Sequence, residues 1–396
     1  MTTPSPVSGP SPADANLTLQ GDIDSVAVPV TPAPGDDSPA PSRSSRRWLR
    51  PALSALVSVA IVVAVFWYFI PQYTSVSDIW SSIQAMTWLE LTTLVLAAIW
   101  NLATYGLVVM TTTPGLRYPQ AEVSTQASTA VANTVPGGGA IGMALIYSMF
   151  GSWGFSRSRT SVSLVVSGVW NNFVKLGMPV VALALLVLQG KTGGGRVLAA
   201  TLGMAALITA IVLLTLLLKS ESAARQVGLG TARVATALRK PFGKEPVHGW
   251  DLATVKFRRR TQLLIRARWI YITAMTLISH LSLFFVLLLA LRHVGVSQDE
   301  VSWIEILAVF AFARLLTAIP LTPGGLGIVD VALITGLAAA GGARPEVAAA
   351  VLVYRALTYV LPIPVGLACY LFWKRNHSWR RAPGAAPRTD LVPESA

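Results

Sequence analysis

The chain is poor in charged residues. Only 12% of its 396 residues are Asp, Glu, Lys or Arg, whereas 53% are hydrophobic. A soluble domain carries roughly 25% charged residues, so this composition excludes an ordinary soluble globule. The charges that are present are unbalanced, with 31 basic against 18 acidic side chains. Such an excess is typical of proteins that bind nucleic acid or a membrane surface. The apolar composition favours the membrane, and no nucleic-acid partner is predicted.

Thiols and imidazoles are also scarce. The single cysteine, Cys369, excludes a disulfide framework and a cysteine-built metal site, because both need at least two thiols. The four histidines lie too far apart for local ligand spacing. The chain has no phosphate-binding loop with its lysine, no His-Glu-x-x-His and no nucleophile elbow. The sequence therefore predicts no metal, no cofactor, no catalytic residue and no enzymatic activity.

The first 42 residues contain no Lys or Arg and hold nine prolines. Such a segment cannot bury a core, so residues 1–47 are predicted to form a disordered tail. The first apolar run, residues 49–70, lacks a small-x-small exit, which favours a retained signal anchor over a cleaved signal peptide.

Long apolar runs predict an all-α polytopic membrane protein, since a spanning helix needs about 20 apolar residues. The predicted spans are residues 49–70, 88–110, 162–188, 197–218, 269–291 and 347–373. Two further apolar stretches, 121–150 and 301–340, are interrupted by proline and glycine, which do not suit a straight helix. The residues at these interruptions are Pro136, Gly137, Gly138 and Gly139, and then Pro323, Gly324, Gly325 and Gly327.

The distribution of Lys and Arg predicts the orientation, because cytoplasmic loops collect these residues. If each interrupted stretch dips into the membrane as a re-entrant hairpin, 24 of the 31 basic residues fall on the cytoplasmic side, twelve of them in a loop at 219–268. Each arm of the first stretch spans roughly 22 Å, which is short of a 30 Å core. The first arm of the second stretch is longer and could nearly span the core, so a tilted, broken hairpin remains an alternative there. Both termini, including the tail 374–396, are predicted to be cytoplasmic in a plasma (inner) membrane protein.

The same order of parts occurs twice with opposite membrane orientation: a span, a broken hairpin and a second span. Inverted repeats with broken helices at matching positions are typical of transport sites near the midplane. A helix that begins after the glycines, at Ile141 or Ile328, would direct free N–H groups toward an anionic group. The alternative is close packing, in which Gly138 and Gly142 only let helices approach.

A few polar residues fall inside the predicted membrane body. Lys175, beside Asn171 and Asn172, lies mid-helix in the first repeat, and Arg355 lies about ten residues into the last helix. Arg314 and Asp330 flank the second Pro-Gly-Gly. Intramembrane ionisable residues are functional candidates. We expect the three cations, both asparagines and Asp330 to form a substrate-binding site in which Asp330 pairs with one of the cations; the alternative is a structural ion pair between helices or a snorkelling Lys175.

Residues 313–330 read Ala-Arg-Leu-Leu-Thr-Ala-Ile-Pro-Leu-Thr-Pro-Gly-Gly-Leu-Gly-Ile-Val-Asp. This segment resembles the signature of the flippase-like transmembrane domain of lysylphosphatidylglycerol synthases, and the resemblance covers most of residues 48–373. In the synthases that domain is associated with moving aminoacylated phospholipid to the outer leaflet. Asp330 stands where the family usually has Glu, and the first hairpin lacks the family's Gly-Glu. The 23 residues after the last span leave no room for the soluble synthase domain.

Two functions are therefore expected. The first is translocation of an anionic or modified phospholipid, or of a lipid-linked precursor, with membrane lipids as partners. The alternative is a non-transporting scaffold or accessory subunit for a lipid-modifying or glycosyl-transferring membrane enzyme.

Overall fold

A computed structural model describes residues 81, 84–134, 137–190, 194–239, 249–317 and 325–381, all of which belong to the unit Trp48–Ala396. The predicted span at 49–70 and the tail 1–47 lie outside the described residues. In the described part of the chain every regular element is helical. The elements are α1 (Trp88–Thr112), α2 (Tyr118–Thr134), α3 (Gly138–Ser152), α4 (Arg157–Leu188), α5 (Gly194–Lys219), α6 (Glu221–Arg239), α7 (Trp250–Val294), α8 (Trp303–Leu316), α9 (Ile328–Ala339), α10 (Arg344–Arg355), a π-helical turn (Ala356–Val360) and α11 (Pro362–Arg375).

Four segments are long and apolar enough to cross a membrane: Trp88–Thr112, Arg157–Leu188, Leu252–Val294 and Arg344–Arg375. Thr201–Leu216 and Glu221–Ala237 pass the same criterion only together, with a bend of 94° between them. The described residues therefore carry four candidate spans, or five with the bent pair; five of the six predicted spans fall among these residues, and the sixth, 49–70, lies outside them. Large apolar side chains along α1 and α5 face outward, such as Leu96, Leu202 and Leu213. Such outward apolar surface is what lipid-facing helices present.

Both interrupted stretches form pairs of packed helices, α2 with α3 and α8 with α9. In the first pair a Cβ atom on Gly142 would lie 2.9 Å from the carbonyl oxygen of Ser128, and one on Gly138 would collide with that of Val131. The helices therefore run antiparallel at a separation that only glycine permits. The breaks predicted at both Pro/Gly sequences are confirmed.

The start predicted for the helix after the first break is wrong by three residues. α3 begins at Gly138 rather than at Ile141, because Gly137 adopts a left-handed φ of 67° and serves as its N-cap. The start predicted for the second break is correct, since α9 begins at Ile328.

The helices of the two predicted repeats pack against each other. α1 and α7, the opening helices of the two repeats, run antiparallel: Thr93 lies 2.9 Å from His293, and Asn101 donates to Ser282 over 2.8 Å. Each hairpin packs against the other half of the chain: α2 of the first hairpin packs on α11, and α8 of the second packs on α4. Each hairpin thus contacts the closing helix of the other predicted repeat.

The segment 219–268, treated from its charge as a loop, is largely helical. α6 occupies Glu221–Arg239, and α7 runs unbroken for 45 residues, or roughly 67 Å, which is twice a bilayer core. Arg258 on α7 donates to the carbonyl of Leu218 over 2.8 Å and lies 3.3 Å from the carboxylate of Glu221. Arg258 therefore joins α7 to the end of α5 and the start of α6, in addition to any contribution of its charge to the orientation of the chain in the membrane.

Gly366 is the closest point between α11 and α2. A Cβ atom there would collide with the carbonyl oxygen of Gln126 and lie 2.5 Å from the Cβ of Ala130. We expect Gly366→Val to lower the free energy of unfolding by about 2 kcal/mol, because overpacked helices must separate. The matched control is Gly168→Ala on α4, where a Cβ meets open space and alanine favours the helix. Equal midpoints of thermal unfolding in detergent for the two variants would contradict this packing.

Candidate functional site

Asp330 and Arg355 form an ion pair between the second hairpin and the last long helix. The Nε atom of Arg355 donates to Oδ1 of Asp330, and the two side chains are 11% and 13% exposed. The other carboxylate oxygen accepts the N–H of Gly327 over 2.9 Å, and Arg355 also reaches the carbonyl of Gly325 at 3.5 Å. The expected pairing of Asp330 with a cation is thus observed with Arg355. It joins the first turn of α9, in the second hairpin, to the end of α10.

The two hairpins differ at the start of their second helices. At the second, the carboxylate of Asp330 accepts the N–H of the N-cap residue Gly327, so one N–H group at this helix start is engaged by the protein itself; that the N–H groups of the first turn of α9 meet an anionic group stays a prediction. At the first, the N-cap Gly137 offers no side-chain cap, and a Cβ on Gly137 or Gly139 would meet nothing within 4 Å. Gly138 and Gly142 serve close packing, as the alternative held. Pro136, Pro323 and Gly324 lie outside the described residues.

The first hairpin also contacts the last long helix, at the π-helical turn. The side-chain amide of Asn133 donates to the carbonyl of Tyr359 over 3.1 Å, and the hydroxyl of Tyr359 donates to the carbonyl of Asn133. Two hydrogen bonds therefore join the end of α2 to the π-helical turn.

A second group of polar side chains surrounds Arg314 at the end of α8. The charge of Arg314 acts on Lys175 of α4 and on His280 of α7, so the three groups share one electrostatic environment. Neither Arg314 nor Lys175 has a carboxylate partner among the described residues. The Nε atom of Arg314 is buried there without a hydrogen-bond acceptor. These two cations therefore influence each other electrostatically, and neither is paired with a carboxylate in the described part of the chain.

His280 adds an unpartnered polar atom to this group. Its side chain is 5% exposed, its Nδ1 lies 3.0 Å from the carbonyl of Thr276, and its Nε2 has no partner in the described part of the chain. Tyr354, one residue before Arg355, is within the electrostatic influence of Arg314, Arg355 and Asp330. Arg314 and the ion pair thus act electrostatically on one buried tyrosine, and we call Arg314, Lys175, His280, Tyr354, Asp330 and Arg355 together the Arg314–Arg355 region.

The asparagines beside Lys175 are placed differently. Asn171 lies one turn before Lys175 and is half-buried, so it shares the face that Lys175 presents. Asn172 is exposed and donates to the carbonyl of Gly168 on its own helix over 2.9 Å. A substrate-binding role for both asparagines, as for Lys175, Arg314, Asp330 and Arg355, stays a prediction.

Sequence reasoning missed Glu122 on α2. Its carboxylate accepts the backbone N–H of Gly106 on α1 over 3.1 Å and the side-chain amide of Gln126 over 2.7 Å. An acidic residue in an apolar stretch was the available signal. Tyr359 carried no such signal, because a tyrosine in an apolar helix is common.

Comparisons with known proteins bear on the whole membrane body. The model of a family described as the lysylphosphatidylglycerol synthase TM region matches residues 55–366. The inner membrane protein YbhN of Escherichia coli (strain K12) is 28% identical over 143 residues, which are 35% of this chain and 44% of that relative. The match thus spans less than half the length of that relative.

Proposed function

This chain belongs to the lysylphosphatidylglycerol synthase TM region family and is an integral membrane protein, and on that premise we propose that it moves a lipid with an anionic headgroup between leaflets. The lipid class is a phospholipid, unmodified or aminoacylated, or a lipid-linked precursor. We propose no catalytic step for this chain.

The observation that carries the proposal is the uncompensated charge of the Arg314–Arg355 region. Asp330 neutralises Arg355, whereas Arg314 and Lys175 lack a carboxylate partner in the described residues. A buried cation without a partner is costly, and chains keep such groups at substrate pathways. A phosphate group passing this point would supply the missing negative charge and up to two charge-assisted hydrogen bonds to the guanidinium.

In the proposed route, both hairpins move as the lipid headgroup crosses the membrane. Each contacts the closing helix of the other repeat, so a movement of one half relative to the other displaces both hairpins around the Arg314–Arg355 region. Non-helical backbone at membrane depth is tolerated where it lines a watery cavity, so we propose that both hairpins are re-entrant and border the path. The hydrocarbon tails would remain in lipid beside the outward apolar surfaces.

The proposed orientation places the segment 219–268 and both termini in the cytoplasm. It is tested with Glu245→Cys in a Cys369→Ser background, which leaves one thiol in the chain. A membrane-impermeant maleimide is expected to label intact right-side-out vesicles only after permeabilisation. Labelling before permeabilisation would invert the orientation and remove the basis for re-entrant hairpins.

Leaflet-resolved lipid movement tests the transport. Full-length protein is reconstituted into vesicles containing fluorescent phosphatidylglycerol, and an impermeant reductant bleaches the outer-leaflet label. Continued bleaching of inner-leaflet label above the protein-free rate is expected. A diglyceride with the same fluorophore but no phosphate serves as the control ligand and is expected to show no protein-dependent acceleration beyond its own rapid flip. Protein that is folded and correctly inserted, yet leaves phosphatidylglycerol at the protein-free rate, would favour the scaffold function instead.

A further inference from the structure

A second basic site lies away from the Arg314–Arg355 region, where the chain after α11 folds back on the open end of the first hairpin. The structure has a pocket of about 410 Å³ there, lined by Arg117, Arg380 and Arg381 together with Gln120, Trp153 and Trp379. Ser378 completes the lining. Among the described residues, three arginines and no carboxylate line this small space, which is the composition of an anion site.

The wall formed by the C-terminal segment is held in place. The backbone N–H of Arg381 donates to the carbonyl of Ser152 over 3.0 Å, and the ring of Trp379 packs edge-on against Trp153 with centroids 6.1 Å apart. Arg380 donates to the carbonyl of Lys374 over 3.2 Å. These contacts make the pocket a preformed feature of the fold, which lowers the cost of ordering it around a ligand.

The arginines retain capacity for a ligand. The Nη1 atom of Arg381 is buried and has no hydrogen-bond partner among the described residues. The side chain of Arg117 is exposed, and only its backbone N–H is engaged, by the Gln120 side chain at 3.2 Å. Gln120 is itself 6% exposed, so a polar side chain forms the buried floor. An anion in the pocket would satisfy Arg381 and draw Arg117 inward.

We propose that this pocket binds a phosphate group. Guanidinium groups match phosphate bidentately, and the volume accepts a glycerophosphate-sized ligand. The neighbouring tryptophans, Trp153, Trp373 and Trp379, are the residues that anchor a protein at the headgroup level of a membrane. The phosphate therefore comes from a lipid headgroup at the membrane surface or from free phosphate in solution. The inference does not rest on the transport function, because binding at this pocket needs no lipid movement.

Calorimetric titration of the full chain in a non-ionic detergent tests the site with three probes. These are sodium phosphate, dihexanoyl-phosphatidylglycerol and, as the matched ligand without phosphate, dihexanoylglycerol. We expect at least one phosphate-bearing probe to bind and dihexanoylglycerol to be silent. Binding of the lipid in preference to sodium phosphate identifies a headgroup site; the reverse order identifies a site for free phosphate.

Substitutions locate the binding. Arg117→Gln changes an exposed side chain and is expected to leave folding intact while weakening the binding probe about tenfold, the effect of one charge-assisted contact. Arg381→Gln is expected to weaken it at least as much. Arg375→Gln removes an equally basic, exposed side chain that does not line the pocket, and binding should match the wild type. No binding of either phosphate probe, equal binding of dihexanoylglycerol, or equal losses in Arg375→Gln and Arg117→Gln would overturn the proposal.

Discussion

Asp330→Ala is expected to lower the free energy of unfolding by about 3 kcal/mol, the cost of breaking a buried ion pair from one side. The substitution leaves the guanidinium of Arg355, which is 11% exposed on its side chain, without its carboxylate. It also removes the acceptor of the Gly327 N–H at the start of α9. Both losses fall on the end of the second hairpin, so this hairpin should separate first from the last long helix.

The matched control is Glu221→Ala. Glu221 also pairs with an arginine, Arg258, at 3.3 Å, but its side chain is 70% exposed. Exposed pairs contribute about 0–1 kcal/mol, so this variant should unfold close to the wild type in a mixed-detergent titration. Asp330→Leu combined with Arg355→Met removes both charges and should recover most of the loss. Equal midpoints for Asp330→Ala and Glu221→Ala would show that the pair contributes no special stability.

Arg314→Gln is expected to reduce lipid translocation by on the order of tenfold to a hundredfold, the effect of losing charge-assisted hydrogen bonds to phosphate. Its stability should not fall, because no described residue depends on the Nε atom of Arg314 as a donor. Removing a buried, unbalanced charge can even stabilise a protein. A large loss of transport with an unchanged midpoint of unfolding would identify Arg314 as a residue that contacts the substrate rather than one that stabilises the fold.

The control for this experiment is Arg344→Gln at the start of α10, where the side chain is exposed and lies outside the Arg314–Arg355 region. Its translocation rate should equal that of the wild type in vesicles with the same protein content. Lys175→Met should resemble Arg314→Gln, since both remove one of the two unbalanced cations. Wild-type translocation by folded Arg314→Gln would exclude this arginine from the lipid path.

Much of the architecture follows from local sequence. Long apolar runs predict the long helices α1, α4 and α7, because burial in lipid requires about 20 apolar residues whatever the tertiary contacts. The breaks at Gly137 and at Gly325–Gly327 follow from backbone conformations that glycine adopts without strain. Glu90 and Glu305 form capping boxes with Thr87 and Ser302 at the starts of α1 and α8, a local pattern that marks the start of a helix in the sequence.

Other features depend on contacts between distant segments and leave no local pattern. Asp330 has three candidate cations in the sequence, and only the packing of α9 against α10 selects Arg355. The helical state of the segment 219–268 was missed, because a high density of basic residues describes solvent contact rather than backbone conformation. The bond between Asn133 and Tyr359 joins residues 226 positions apart, and neither residue type is unusual in its helix.

The π-helical turn has a mechanical consequence. Arg355, at its start, is joined to the second hairpin through Asp330, and Tyr359, within it, is joined to the first hairpin through Asn133. Both joints therefore end on one short segment, in which the hydrogen bond from the N–H of Leu361 to the carbonyl of Ala356 replaces the usual α-helical spacing. A change in the backbone of this segment would therefore move Arg355 and Tyr359 together. We expect a displacement of one hairpin to be transmitted to the other through this segment.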